Sequence, residues 1–145
     1  MNEITVRNLV DEDIKNGFLE ALEALRPASH MTYNMCRSIY DEISDDPNRI
    51  VAVAVAGGRI VGTASLILER KFIHDGGRAG HIEDVSVNTK FQRQNVGSLL
   101  IQYLLDIAIR KGCYKTTLDC TNDVAGFYGR LGFKHNGISM RIDHT

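Results

Sequence analysis

The chain has 145 residues, of which 43% are hydrophobic and 24% charged, as expected for a single soluble globular domain spanning residues 1–145. A formal net charge of −1 excludes a broad basic surface for nucleic acid or anionic lipid. The three cysteines include no Cys-x-x-Cys pair, which argues against a disulfide scaffold and a zinc site. Without a signal peptide or a long apolar run, we expect a reducing intracellular location, cytoplasmic unless an organelle imports the protein.

The N-terminal part is predicted to contain one strand and two helices. Residues 4–9 (ITVRNL) have the composition of a short strand. Asp11 is expected to cap a helix that runs to about Leu25, and Thr32 a second helix that runs to about Ile43.

The middle of the chain is predicted to form a hairpin and a third strand next to it. Two apolar runs, 50–56 and 59–68, flank Gly57-Gly58, which is the sequence signal of a two-residue primed turn. Residues 81–87 then have strand chemistry, with β-branched side chains at period two.

The C-terminal part is predicted to alternate helices and strands. A helix begins at about Val96, with apolar residues at i, i+3, i+4 and i+7. A strand at 114–119 follows, then a short helix capped by Asn122 or Asp123, and a last strand or strand pair within 133–142. The resulting order, β-α-α-β-β-β-α-β-α-β, predicts an α/β fold with a mixed sheet flanked by helices.

The turn before the helix at Val96 is predicted to bind pyrophosphate. Such a turn leaves backbone N–H groups unpaired at the positive end of the helix dipole, and this geometry binds phosphate without side chains. Arg93 adds a mobile charge, Asn95 tolerates a left-handed conformation, and Gly97 permits close approach of a ligand. The turn lacks the G-K-[ST] of a nucleotide P-loop and the third glycine of a dinucleotide fingerprint. A plain strand-to-helix connection is the alternative.

Two pairs of charged residues are candidates for an acceptor site. Glu83 and Asp84 are consecutive, so both can face one cleft only if a bulge interrupts the strand near Asp84. Lys115 and Asp119 share a strand face with α-carbons about 13 Å apart, which is too far for a direct salt bridge and suits a ligand with an anionic group at one end and a cationic group toward the other. Solvated surface charges are the alternative for both pairs.

Four further side chains have a structural alternative to a functional role. Tyr128 is either an acid in the site or a core aromatic of a short helix. His74 and His81 match no metal-ligand spacing. Cys120 has no base beside it in the sequence and is predicted to be a buried structural cysteine.

The element order, the pyrophosphate turn and the block F-Y-x-x-L-G-F at 127–133 resemble the GNAT acetyltransferase superfamily. Three more blocks, ILERKFIH (67–74), GHIEDV (80–85) and CYKxxLDC (113–120), narrow the resemblance to the glucosamine-6-phosphate N-acetyltransferase family. The resemblance implies a mostly antiparallel sheet splayed at its central strand, and acetyl-CoA as cosubstrate with no metal. It also implies a homodimer with shared active sites, acting in amino-sugar metabolism toward UDP-GlcNAc.

The resemblance also implies residue roles. Acetyl-CoA would be bound by the main chain of the central strand, by the turn and by the residue next to the sulfur: Val85, Ser86, Val87, Arg93, Gln94, Asn95, Val96, Gly97, Ser98 and Tyr128. The sugar phosphate and its amine would contact Lys71, Phe72, Ile73, His74, Glu83, Asp84, Val85, Tyr114, Lys115 and Asp119. Glu83 or Asp119 would take the amine proton, and Tyr128 would protonate the leaving thiolate.

The chain departs from the family pattern at three positions. Asn95 and Val124 replace a usual Gly and Asn, and Asp143 stands where a basic residue is frequent, with Arg141 as a substitute on the same strand face. Two other functions fit the same elements. One is a GNAT enzyme that acts on another small amine or on a protein amine, and the other is a non-catalytic acyl-CoA-binding module.

Overall fold

The structure is a computed structural model that describes residues 3–145 and contains a five-stranded sheet in the order β1-β2-β3-β4-β5. The strands are β1 (Ile4–Asn8), β2 (Arg49–Ala56), β3 (Arg59–Arg70), β4 (Arg78–Val87) and β5 (Cys113–Leu118). The first four pair antiparallel, and β5 pairs with β4 in parallel. The predicted α/β class with a mostly antiparallel sheet is therefore confirmed.

Helices cover both faces of this sheet, at α1 (Phe18–Glu23), α2 (Tyr33–Ser44), α3 (Ile73–Gly76, a single turn), α4 (Val96–Arg110) and α5 (Asn122–Arg130). The apolar stripe of α4 packs on one face, where Leu100, Ile101 and Leu104 are fully buried. On the other face, Ala21 of α1 packs against Val53 and Ile60. Across residues 3–145, no helix is long and apolar enough to cross a membrane.

Two predicted features of the first half are confirmed. The hydroxyl of Thr32 accepts a hydrogen bond from the backbone N–H of Met35 and caps α2. Gly57 and Gly58 both have positive φ, 58° and 77°, as a primed hairpin turn requires.

The single helix predicted from Asp11 to Leu25 is wrong. A 3₁₀ turn over Asp11–Lys15 ends before Gly17, whose φ of 97° breaks the helix before α1 begins. A side chain at Gly17 would lie 2.5 Å from the carbonyl oxygen of Ile60, so the chain passes too close to β3 for any other residue. Asp11 is not the cap, because the buried carboxylate of Asp13 accepts from the Val10 N–H at 2.8 Å.

Two predictions for the C-terminal part are also wrong. Thr121 occupies the N-cap position of α5, in place of Asn122 or Asp123. The segment 133–142 contains no strand, although its apolar residues alternate as in one. Ile138, Met140 and Ile142 are 90%, 91% and 78% exposed, because this segment has no strand beside it within the described chain.

Candidate active site

The bulge predicted near Asp84 is present in β4. Asp84 has a φ of 51°, in the left-handed region. The pairing with β3 shifts there, since Glu83 pairs with Ser65 whereas Ser86 pairs with Thr63. The irregularity lets consecutive acidic residues avoid the strict alternation of a strand. The bulge prediction is confirmed.

Just after this point, β4 and β5 separate. Their parallel pairing ends at Ile82 with Leu118, although β4 continues to Val87. Backbone groups of β4 beyond Ile82 therefore have no ladder partner in β5. Continuing the register places Glu83 and Asp119 opposite each other at the first open position, on the face that carries His81 and Thr117. The splay predicted at the central strand is thus flanked by two of the three predicted catalytic side chains.

The turn before α4 has the unpaired amides that the sequence predicts. Arg93 and Asn95 both adopt left-handed backbone conformations, with φ of 67° and 65°. Throughout residues 3–145, no protein acceptor receives a hydrogen bond from the backbone N–H groups of 93–98, and the first helical bond runs from Leu99 to Asn95. An array of amides at a helix N-terminus is an anion-binding arrangement.

Asn95 and Gly97 suit their positions in this turn for different structural reasons. Asn95 occupies the left-handed region, which Asn adopts more readily than most residues, so the departure from Gly is accommodated. A side chain at Gly97 would lie 3.2 Å from the ring of Phe127. Gly97 thus allows α5 to pack against the start of α4, a role that the sequence analysis did not assign to it.

The part of β4 that borders the splay is fixed by contacts of its side chains with the rest of the protein. Ser86 is buried, and its hydroxyl donates to the carbonyl oxygen of Ala21 at 2.5 Å. Val85 and Val87 pack against the core under α4. The side chains of all three residues are thus engaged within the protein, and the side of β4 that faces β5 has no ladder partner beyond Ile82.

A cavity of about 840 Å³ lies beside β5 and is formed with the end of α4, with α5 and with the segment that follows α5. Tyr114, Lys115, Asp119 and Tyr128 all line it, so four of the predicted site residues share one cavity. The volume lies in the range of small-molecule sites. Asp84 instead lines a separate cavity of about 340 Å³ between α1, α2 and the sheet.

Tyr128 combines the two roles that the sequence left open. Its ring packs edge-on against Phe127 and Phe133, with centroids 4.9 and 5.9 Å away. It nevertheless lines the large cavity. Burial, and secondarily the nearby Cys120 thiol, raises the pKa of Tyr128 above its ordinary value near 10. Cys120 itself is exposed in the same cavity, so the prediction of a buried structural cysteine is wrong.

Aromatic and basic side chains meet at the other end of β5. His74 stacks on Tyr114 with ring centroids 3.9 Å apart, and the ammonium of Lys115 lies 5.7 Å from the same ring. His74 and Asp75 are consecutive non-glycine residues in the left-handed region, with φ of 53° and 56°. Backbone strain of this kind is concentrated at functional sites. The structure therefore joins α3 and β5 in one surface.

The other residues predicted to lie near the sugar phosphate do not form one cluster. Phe72 and Ile73 project into solvent, with 103% and 61% exposure. Lys71 pairs with Glu69 at 3.1 Å. Arg141, named above as the substitute for the missing basic residue, forms an ion pair with Asp143 at 2.6 Å.

Sequence reasoning missed one polar network on the same face. The Nδ1 atom of His81 lies 2.8 Å from the hydroxyl of Thr117, and its Nε2 atom lies 3.0 Å from the carboxylate of Glu69. These residues come from three neighbouring strands, and only the strand register brings them together. Within residues 3–145, no three His, Cys, Asp or Glu side chains form a group that could hold a metal ion.

An amide-lined turn beside a splayed, mostly antiparallel sheet is the arrangement expected of an acetyltransferase domain, and the family model of the acetyltransferase (GNAT) family matches residues 12–133. The chain belongs to this family. It is 34% identical to glucosamine 6-phosphate N-acetyltransferase 1 of Oryza sativa, covering 94% of this chain and 85% of that one. It is 36% identical to the enzyme of the same name from Dictyostelium discoideum, over 96% and 90% of the two chains.

A solved structure supports the same assignment. The crystal structure of glucosamine-6-phosphate N-acetyltransferase from Arabidopsis thaliana superimposes with a TM-score of 0.93 at 31% identity, covering 99% of both chains. Within the GNAT family, the chain therefore belongs with the glucosamine 6-phosphate N-acetyltransferases.

Proposed function

We propose that the protein transfers the acetyl group of acetyl-CoA to the 2-amine of D-glucosamine 6-phosphate, giving N-acetylglucosamine 6-phosphate and CoA. The relatives that bear this activity in their names match this chain over nearly all of its length. The observation that carries the proposal is the open position at the end of the β4–β5 ladder, which the register places between Glu83 and Asp119, in a chain whose α4 begins with unpaired amides.

Acetyl-CoA is proposed to bind by its diphosphate at the turn. The amides of 93–98 supply donors without a metal ion, and the guanidinium of Arg93 supplies charge. The pantetheine arm then extends past Val85, Ser86 and Val87 along the side of β4 that faces β5, where no ladder partner remains beyond Ile82. This route leads the thioester into the splay, where backbone N–H groups polarise its carbonyl.

The sugar phosphate is proposed to bind at the basic end of β5. Lys115, with the stacked rings of His74 and Tyr114 beside it, forms a positive and flat surface there. Lys71 contributes a second ammonium from the end of β3. A phosphate bound at that end directs the sugar toward Asp119, which lies in the same cavity.

The proposed reaction is a direct transfer in a ternary complex. Glu83 or Asp119 takes one proton from the substrate ammonium, directly or through a water molecule, and the free amine attacks the thioester carbon. The new C–N bond forms as the C–S bond breaks, and the sulfur receives the proton of the Tyr128 hydroxyl. The acylated nitrogen releases its second proton to water as the amide forms, and the Tyr128 oxygen regains a proton from the same solvent. Positioning and oriented dipoles supply most of the rate.

Thiol release tests this function. Purified protein with acetyl-CoA is expected to release CoA with glucosamine 6-phosphate and to do so far less with glucosamine, which lacks the phosphate. Glucose 6-phosphate, which lacks the amine, is the matched control and should give only background release. Acetyl-CoA binding without turnover on any amine would instead indicate a binding module, and turnover of polyamines alone would indicate another acceptor.

We further propose a homodimer, because the C-terminal segment has no strand beside it among residues 3–145. β5 is an edge strand, and such an edge is open to pairing. Ile138, Met140 and Ile142 alternate with polar residues and leave an apolar row exposed. A second copy of the chain supplies both a strand beside this segment and cover for its apolar row. Part of the same segment lines the large cavity, so the two sites are shared.

Replacing Met140 with Asp is expected to convert a dimer into a monomer, because it places a charge in the buried apolar row. Equilibrium sedimentation measures the change, and activity should fall with it. Ser139→Asp is the matched control for assembly, since Ser139 points to the opposite face of an extended segment and should leave the dimer intact. Because Ser139 lines the large cavity, sedimentation alone is the readout for this control. A wild-type protein that is monomeric and fully active at micromolar concentration would rule out the shared sites.

A further inference from the structure

The polar network at His81 lies where β4 and β5 separate. His81 pairs with Thr117 in the parallel ladder, and only one more pair, Ile82 with Leu118, follows before the strands part. The Thr117 hydroxyl and the His81 ring lie on the face of Glu83 and Asp119. The strands are thus joined by a side-chain hydrogen bond immediately below the open position.

Both ring nitrogens of His81 have a hydrogen-bond partner. The carboxylate of Glu69 can only accept, so Nε2 carries a proton and donates to it over 3.0 Å. Nδ1 lies 2.8 Å from the hydroxyl of Thr117, which can donate to it or accept from it. With partners on β3 and β5, the ring has one orientation, and the hydrogen bond from Nε2 to Glu69 lowers the pKa of that carboxyl.

This network also reaches the proposed phosphate contact. The Glu69 carboxylate that accepts from His81 also binds the ammonium of Lys71 at 3.1 Å. A continuous chain of contacts therefore runs from Lys71 through Glu69 and His81 to Thr117. It links the phosphate end of the proposed acceptor site to β5, which Asp119 directly follows.

We infer that His81 is a positioning residue, which ties β4 to β5 through Thr117 and thereby sets the gap between Glu83 and Asp119. The inference rests on the proposed function, in which these carboxylates face the acceptor amine. Parallel pairing is the weaker kind of ladder, and here it ends against an open cleft. A side-chain hydrogen bond beside the last backbone pairs of the ladder limits how far the two strands separate. This matters for the rate, because small displacements of positioned groups slow catalysis strongly.

Two pairs of substitutions test the hydrogen bond between His81 and Thr117. Thr117→Val keeps the shape of the side chain and removes the hydroxyl, whereas Thr117→Ser keeps the hydroxyl. His81→Asn retains a polar atom near the position of Nδ1, and His81→Gln retains one nearer that of Nε2. We expect Thr117→Val to lower kcat/KM for glucosamine 6-phosphate about tenfold, to leave the Kd of acetyl-CoA within about twofold, and to be rescued by Ser. The Asn variant should be more active than the Gln variant.

Hydrogen exchange supplies a readout that does not need turnover. The backbone amides at Ile82 and Leu118 should exchange faster in Thr117→Val than in wild type, but not in Thr117→Ser. A wild-type enzyme that is active, with Thr117→Val equal to it in both measurements, would overturn the inference. Equal losses in Val and Ser variants would do the same. An inactive wild type would refute the proposed function alone, and the exchange rates would still decide whether the tie exists.

Discussion

Replacing Tyr128 with Phe is expected to lower kcat by about a hundredfold or more, the range measured for loss of a general acid, with little change in the Kd of acetyl-CoA. The substitution keeps the ring that packs against Phe127 and Phe133 and removes only the hydroxyl. Stopped turnover with unchanged binding is the signature of a group that acts in the transition state. Steady-state kinetics and calorimetric titration measure the two quantities.

The electrostatics of Tyr128 define how it can act. Free tyrosine has a pKa near 10 and a free thiol near 8.5, so proton transfer to a released thiolate is uphill by about 2 kcal/mol. Burial raises the pKa of Tyr128 further, which keeps the hydroxyl protonated below pH 10 and makes stepwise transfer harder. Transfer must therefore accompany C–S cleavage, when the charge on sulfur is incomplete.

Tyr114→Phe provides the control for Tyr128→Phe, because Tyr114 lines the same cavity and its ring stacks on His74. That variant should alter the KM for the sugar phosphate far more than kcat. If Tyr128→Phe turned over as fast as wild type, the acid would have to be another group.

Neutralising the two carboxylates at the splay one at a time is expected to show which of them is the general base. Glu83→Gln and Asp119→Asn preserve shape and remove the negative charge. The variant that lacks the base should lose about a hundredfold or more in kcat/KM at neutral pH. The other variant should change mainly the KM for the sugar phosphate.

Asp106→Asn is the matched control, since this exposed aspartate lies on α4 and bonds only to Gln102 among the described residues. It should behave as wild type. Near-normal activity of both Glu83→Gln and Asp119→Asn would show that neither carboxylate takes the amine proton.

The features that sequence reasoning predicted are those governed by neighbouring residues. Consecutive Glu83 and Asp84 implied the bulge, because a regular strand would separate them. The polar run before Val96 implied unpaired amides, because every helix leaves its first N–H groups without partners. Both signals depend on the period of one strand or one helix, which the sequence contains in full.

The features that it missed depend on contacts between distant segments. The break at Gly17 arises from the close approach of β3, which no helical period reveals. The network of Glu69, His81 and Thr117 needs the register of three strands. The C-terminal segment shows the converse case, because its strand pattern is present although the single chain offers it no partner.

The most direct test of how the cosubstrate is anchored is an NMR titration of ¹⁵N-labelled protein with CoA and, in parallel, with pantetheine, which lacks the diphosphate. The account predicts large shifts of the Val96, Gly97 and Ser98 amide signals with CoA and only small ones with pantetheine. Shifts along Val85 to Val87 should occur with both. Binding of CoA that leaves the amides of 93–98 unperturbed would contradict a diphosphate site at the start of α4.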